Sequence, residues 1–286
     1  MSASRFSLAL GQMTSGADYD SNIAVLDSMA ADAEAAGCHV LALPEAAGLM
    51  QRDFASATGI VRPREQDAWS SACARLARQH ALWVHSGSSP VLGSNGKFRN
   101  EGGVFDPQGQ ELARYGKIHL FDVDLPGAAP IRESDRYEPG SRGTVLDTPL
   151  GRWGLTICYD LRFPALFRDY AKLGAEVIFV PSAFAIETGR AHWETLLRAR
   201  AIENGVWIVA AAQTGSHADG RHTWGHSLVV DPWGDIVLDM GRDETGIAVV
   251  EIDLAKVRTA RAQVPALHNE RPYEIDLIPE KNLAVT

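Results

Sequence analysis

Cysteine is scarce in this sequence: 286 residues contain three, Cys38, Cys73 and Cys158. None belongs to a CxxC pair, no zinc-type spacing links them, and an odd count suits a reduced compartment better than a disulfide framework. All three are expected to be free thiols. Positive charge is also short, with 27 lysines and arginines against 36 acidic residues and a formal net charge of -9. Nucleic acid and anionic membranes are therefore not expected partners, because their binding draws its affinity from clustered basic residues. No apolar run approaches the ~20 residues that a membrane-spanning helix needs. The amino-terminal stretch "MSASRFSLALGQMTSG" reads as a first strand rather than a signal sequence, so a cytoplasmic location is expected. The chain also lacks a GxGxxG, a P-loop and a GxSxG, which leaves dinucleotide, phosphate-loop and serine-hydrolase chemistry without support.

What the chain does contain is alternation. Apolar, β-branched runs such as "RFSLALGQM", "HVLALPE" and "LWVHSGS" are separated by segments of helical spacing, the pattern of a layered α/β fold. The helical segment after the first strand should stop at Gly37, and a helix opened by Pro164 should run to about Leu173 and stop at Gly174. Three hairpins are expected, turning at 106–109, 149–151 and 231–234. "VWIVAAAQ" reads as one strand and "GIAVVEID" as the last main one. The segment from Phe121 to Tyr137 has no period and is long for a structureless connection, which points to a functional role. No repeat, low-complexity tract or interdomain linker is visible, so residues 1–286 are expected to form one domain.

Three ionisable residues of complementary type close apolar strand patterns: Glu45 after "HVLALP", Lys117 in "YGKIHLFD" and Cys158 in "LTICYD". Strand ends are where the loops of an α/β sheet converge on a cleft. A thiol there is a possible nucleophile, activated if a helix amino terminus or a cation lowers its pKa. A carboxylate in a partly apolar site would have its pKa raised toward neutrality and could serve as its base. A lysine could stabilise an oxyanion. Taken singly, each has a plainer reading: Cys158 as a small buried hydrophobe, Glu45 as a rim charge or cap, Lys117 as a solvated strand end. Cys38 and Cys73, in or beside patterned helices, keep the packing role. His217, His222 and His226 match no standard metal spacing, and neither a metal nor a cofactor is expected.

The quoted motifs resemble those of the nitrilase superfamily of carbon-nitrogen hydrolases. Leu43-Pro44-Glu45 matches its glutamate motif, "YGKIHLFD" (115–122) its lysine motif, and "ICYDLRFP" (157–164) its cysteine motif, in the same order over nearly the whole chain. The segments "RES", "AHWE", "RARAIE" and "GHSLVVDPWG" are similar to the amidase branch that includes deaminated-glutathione amidase and omega-amidase. Ala165 and the stretch after Glu45 depart from that branch. The resemblance implies a four-layer α-β-β-α sandwich. It implies a Glu45-Lys117-Cys158 triad supported by Glu133, which the residues alone would class as a loop charge, and a backbone oxyanion donor at Tyr159. The implied reaction is hydrolysis of the terminal carboxamide of a small carboxylate-bearing substrate, to acid and ammonia, through a thioester.

Phe184 and Thr188 resemble the branch's pocket-lining residues. Arg162, four residues after the thiol, could anchor the substrate carboxylate or pair with an acid such as Asp160. A homodimer or a dimer-based homo-oligomer, with the tail from about residue 266 at the interface, is implied as well. N-carbamoyl amide or nitrile hydrolysis would use the same residues, while a non-enzymatic interaction protein on this fold is the alternative of another class.

Overall fold

The computed structural model describes residues 4–124 and 130–277. The first strand, Arg5–Met13, shows why the chain layers as it does. Its side chains alternate: Phe6, Leu8 and Leu10 join one core cluster, while Ala9 and Met13 join another. Both faces of the sheet are therefore apolar, and each must be covered.

The helices Tyr19–Ala35 and Ala68–Gln79 cover the outer face, burying Leu26, Met29, Trp69 and Leu76 against Leu41, Leu43 and Val84. Asp18 and Asp67 cap these helices by accepting the N–H of Ser21 and of Ser70. A second sheet, built from the strands 144–148, 151–155, 177–179, 207–210, 228–230 and 236–239, covers the inner face.

The two inner faces meet in a band of aromatic rings. Trp153 of the second sheet lies 6.2 Å from Phe6 and 5.6 Å from Trp83 of the first, and Phe179 stacks at 4.6 Å on His85. Burial in this band lowers the His85 pKa to about 3, so the ring is neutral. The helices Pro164–Lys172 and Ile186–Asn204 cover the far face of the second sheet. Tyr170 of the first of these approaches so closely that a Cβ on Gly154 would stand 2.7 Å from its ring. The order helix, sheet, sheet, helix is the expected α-β-β-α sandwich.

The expected turns are found with glycines at positive φ: Gly37 (68°), Gly109 (77°), Gly151 (99°), Gly174 (86°) and Gly234 (94°). One expectation needs correction. "VWIVAAAQ" is not one strand: Trp207–Ala210 belongs to the second sheet and Ala212–Ser216 to the first. The chain changes layer at Ala211, where three alanines leave no bulky side chain to hold it in either sheet. The Phe121–Tyr137 segment also has structure, a short antiparallel pair of 122–123 with 131–132 followed by a 3-10 turn over Glu133–Asp135. Its residues 125–129 lie outside the described residues, as do 278–286 of the tail expected at an interface.

Candidate active site

Three strand ends deliver the candidate groups to one buried spot. Strand Val40–Ala42 is followed by Glu45, strand Glu111–Gly116 by Lys117, and strand Gly151–Leu155 by Cys158. The Nζ of Lys117 donates to Oε1 of Glu45 at 2.9 Å and to Glu133 at 2.9 to 3.1 Å. Asn100 donates to the same Glu45 oxygen at 2.8 Å, and the Cys158 thiol lies beside the Glu45 carboxylate. Glu133 in turn accepts the N–H of Phe121 at 2.6 Å. Glu45, Lys117 and Cys158 are each less than a tenth exposed.

Local backbone makes this convergence possible. Behind Glu45, Gly87 packs onto the Pro44 carbonyl so closely that a Cβ would stand 1.9 Å from the oxygen, and its φ is +63°. Cys158 itself has φ +48°, a left-handed conformation that costs a non-glycine residue about 1 to 2 kcal/mol. That turn takes the chain out of the strand line, and the following N–H, of Tyr159, has no acceptor among the described residues.

Asp160 holds the strained turn. Its buried carboxylate accepts the N–H of Ile157 at 2.8 Å, the hydroxyl of Tyr115 at 2.7 Å and the N–H of His119 at 3.1 Å, and bonds the His119 ring at 2.7 Å. Tyr115 and His119 flank Lys117, so one carboxylate ties the thiol loop to the lysine loop.

The electrostatics differ from the sequence expectation in two ways. Burial pushes the Glu45 carboxyl up, as expected. The Lys117 charge and hydrogen bond, with those from Cys158 and Asn100, outweigh it, and the group sits below its ordinary 4.5. Burial also pushes the Cys158 thiol well above its ordinary value, and the Glu45 charge adds to this. Lys117 and the N–H of Ala183 pull the other way without prevailing. The Lys117 ammonium is desolvated, yet Glu133 and Glu45 hold its pKa well above the usual lysine value. Around the thiol the resting cluster is thus the Lys117 ammonium, the Glu45 carboxylate and a neutral Cys158.

A pH profile should report this. A carboxyl with a depressed pKa is ionised above that pKa and protonates only as pH falls through it. A base role for Glu45 therefore predicts kcat/KM with no acid limb near neutrality and a decline only below about pH 4.5. Steady-state kinetics across pH 4 to 9 would check it, and a limb centred near pH 6.5, where free imidazole titrates, would contradict it.

The cluster opens into a cavity of about 830 Å³. Phe184 and Thr188, the expected pocket residues, are among its lining, as is Tyr159, expected as a backbone donor. Arg162 is not among the lining residues: its guanidinium lies over the rings of Tyr159 and Phe184, 5.9 and 5.7 Å from their centroids, and reaches His192. Nor does it pair with Asp160. His217, His222 and His226 have separate partners, Ser15 and Thr223, Ser216, and Asp239, and do not meet. Sequence reasoning missed Asn100, Asp160 and the Ala183 N–H. Asn100 was hidden in a strand pattern, and a backbone donor leaves no residue-type signal.

Residues 7–262 match the carbon-nitrogen hydrolase family model. The chain is 41% identical over 278 residues to a deaminated glutathione amidase of Yersinia enterocolitica, covering 95% of each. The chain belongs to the carbon-nitrogen hydrolase family. Its fold is shared with the crystal structure of the Caenorhabditis elegans NitFhit protein (TM-score 0.86, 37% identity, 95% of this chain and 66% of that one). It is shared too with a double mutant of an amidase from Nesterenkonia sp. in complex with acrylamide (TM-score 0.76, 28% identity, 92% and 97%). As a carbon-nitrogen hydrolase, the protein acts on carbon-nitrogen bonds other than peptide bonds. Among the described residues, no helix of this hydrolase is long and apolar enough to cross a membrane.

Proposed function

We propose that the protein is a cysteine-dependent amidase of small carboxylate-bearing amides of the deaminated glutathione type. One observation carries this reading: a thiol beside a carboxylate that is itself bonded to a buried ammonium, all three lining one cavity. The 41% identity to a deaminated glutathione amidase supports the substrate class.

In this mechanism Glu45 accepts the thiol proton as the Cys158 sulfur attacks the amide carbon. The neutral resting thiol means that proton transfer accompanies attack rather than preceding it. The oxyanion is held by the Lys117 ammonium and the N–H of Tyr159, two donors of opposite kind converging on one atom. Glu45 then gives its proton to the leaving nitrogen, so that ammonia or an amine departs and a thioester remains. A water molecule, deprotonated by Glu45, hydrolyses the thioester and releases the acid. Glu133 holds Lys117 in place throughout, and no cofactor takes part.

The chain acts as one hydrolase domain. Two copies pair with the help of the carboxy-terminal tail, where Tyr273, Ile275 and Leu277 are 83%, 83% and 91% exposed, an apolar segment without cover on its own fold. Three buried free cysteines suit the reducing cytoplasm.

The test is a substrate panel of deaminated glutathione, 2-oxoglutaramate, an N-carbamoyl amine and an aliphatic nitrile. Acid and amine products are quantified, and an acyl adduct on Cys158 is sought by mass spectrometry. The amides are expected to turn over with an adduct at Cys158. Preferential hydrolysis of the nitrile or the carbamoyl compound would reassign the substrate, and turnover without any adduct on the thiol would remove the mechanism.

A further inference from the structure

We propose that Arg136 and the hydroxyl of Tyr137 form a second, anion-binding subsite of this cavity, which takes a substrate carboxylate remote from the scissile amide. The preferred substrates are then long amides with a negative charge at the far end. The inference rests on the amidase reading above and specifies its substrate class.

Charge gives the first indication. A chain of net charge -9 gathers four arginines, Arg52, Arg132, Arg136 and Arg221, around one cavity. Two are already neutralised, Arg132 by Asp124 and Arg221 by Asp219. Arg52 and Arg136 pair with no carboxylate among the described residues. Asp135 and Glu187 line the cavity as well, so what favours an anion is the local field of the Arg136 guanidinium rather than the net charge of the cleft.

Arg136 is held in position like a binding group. It is half-buried, its Nη1 donates to the Arg52 carbonyl at 2.5 Å, and its guanidinium lies 5.9 Å from the Tyr137 ring centroid. Its backbone is bonded at both ends: the N–H donates to the Glu133 carbonyl at 3.1 Å and the carbonyl accepts the N–H of Phe98 at 2.9 Å. A guanidinium has five N–H donors in a planar fork, and the Arg52 carbonyl occupies one. Tyr137 packs its ring edge-on against Phe98, and its hydroxyl has no partner among the described residues. Burial raises its pKa, so it remains a donor at neutral pH. Both residues line the cavity.

The same short turn carries both functions. Glu133 grips Lys117 from its start, and Arg136 and Tyr137 leave from its end, where the N–H of each bonds back to the Glu133 carbonyl. Strand Phe98–Phe105, which supplies Asn100 to Glu45, pins the other side of the turn. The separation between the reacting centre and the anion subsite is thereby fixed, and a rigid two-point site selects substrates by length as well as charge.

The experiment compares deaminated glutathione with its analogue in which the glycine carboxylate is a carboxamide. The parent enzyme should favour the acid roughly ten- to hundredfold in kcat/KM, the range expected of a charge-assisted hydrogen-bonded contact. Arg136→Gln, which can still donate to the Arg52 carbonyl, should bring that ratio near one. Arg136→Lys should restore part of it, and Tyr137→Phe should lower it partially. A merely structural arginine would slow both substrates alike and leave the ratio unchanged.

A second measurement does not depend on turnover. Calorimetric binding of the acid and the carboxamide to Cys158→Ala should show the same preference, lost when Arg136→Gln is added. An unchanged ratio in the Arg136→Gln background, in either measurement, overturns the subsite while leaving the amidase reading intact. A parent enzyme that hydrolyses neither compound, with an acid preference in binding that depends on Arg136, overturns the amidase reading and leaves the subsite standing.

Discussion

Cys158→Ala is expected to lower amide turnover by on the order of 10⁴-fold or more, to the level of whatever orientation and oxyanion contacts survive without a nucleophile. The fold should remain. Both residues carry a Cβ, so the left-handed backbone at φ +48° costs them alike, and only a sulfur atom at the cavity floor is removed. Cys158→Ser makes the sharper test, because a hydroxyl fits the same space beside Glu45. It should also be nearly inactive, since an alcohol is far harder to deprotonate than a thiol and the carboxylate facing it is a weak base held below pKa 4.5. Product release measured by chromatography, with circular dichroism to confirm folding, reads both variants. A folded alanine variant at the parent rate would remove Cys158 from the mechanism.

Lys117→Met should be as severe for activity and much worse for stability. The ammonium is 3% exposed and lies between Glu45 and Glu133; without it, those two acidic side chains face each other with no cation between them. Breaking a buried ion pair by removing one partner costs about 3 to 5 kcal/mol. For a chain of this size that corresponds to a fall in Tm on the order of 10 °C. The double variant Lys117→Met with Glu133→Gln should recover much of the Tm, because one stranded charge is gone, but none of the turnover. Thermal melts and kinetics on the pair separate the two roles. A double variant as unstable as the single would show that packing, not stranded charge, is what the lysine supplies.

The parts of this site that were legible in the sequence share one property: they interrupt a local pattern. Glu45, Lys117 and Cys158 each end an apolar run, and a polar group at that place stands out against the period-two expectation. Glu133 does not, because its segment has no period to break, and its contact with Lys117 is set by tertiary folding; only the family likeness marked it. Asn100 was camouflaged for the opposite reason, since a polar residue in "FRNEGGVF" fits a half-exposed strand.

Arg162 shows how proximity in sequence misleads. A 3-10 turn over Cys158–Arg162 intervenes, and four residues on, the guanidinium lies over two lining rings instead of in the cavity. The pKa directions were illegible in principle. Burial of Glu45 and Cys158 could be anticipated from their apolar flanks, but the sign of the net shift depends on which charges the other strands bring.

The aromatic band between the sheets has a consequence for how the enzyme tolerates change. Glu45 and Lys117 are rooted in one sheet and Cys158 in the other, and no covalent link near the floor fixes their separation. What sets it is the girth of Trp153, Trp83, Phe179 and His85, stacked between the layers like a spacer in a vice. A displacement of 1 Å at a reacting group can cost ~100-fold in rate. Sequence drift in this band is therefore constrained by the width of the gap as much as by stability. A narrower ring there could leave a folded protein whose jaws no longer meet at the thiol.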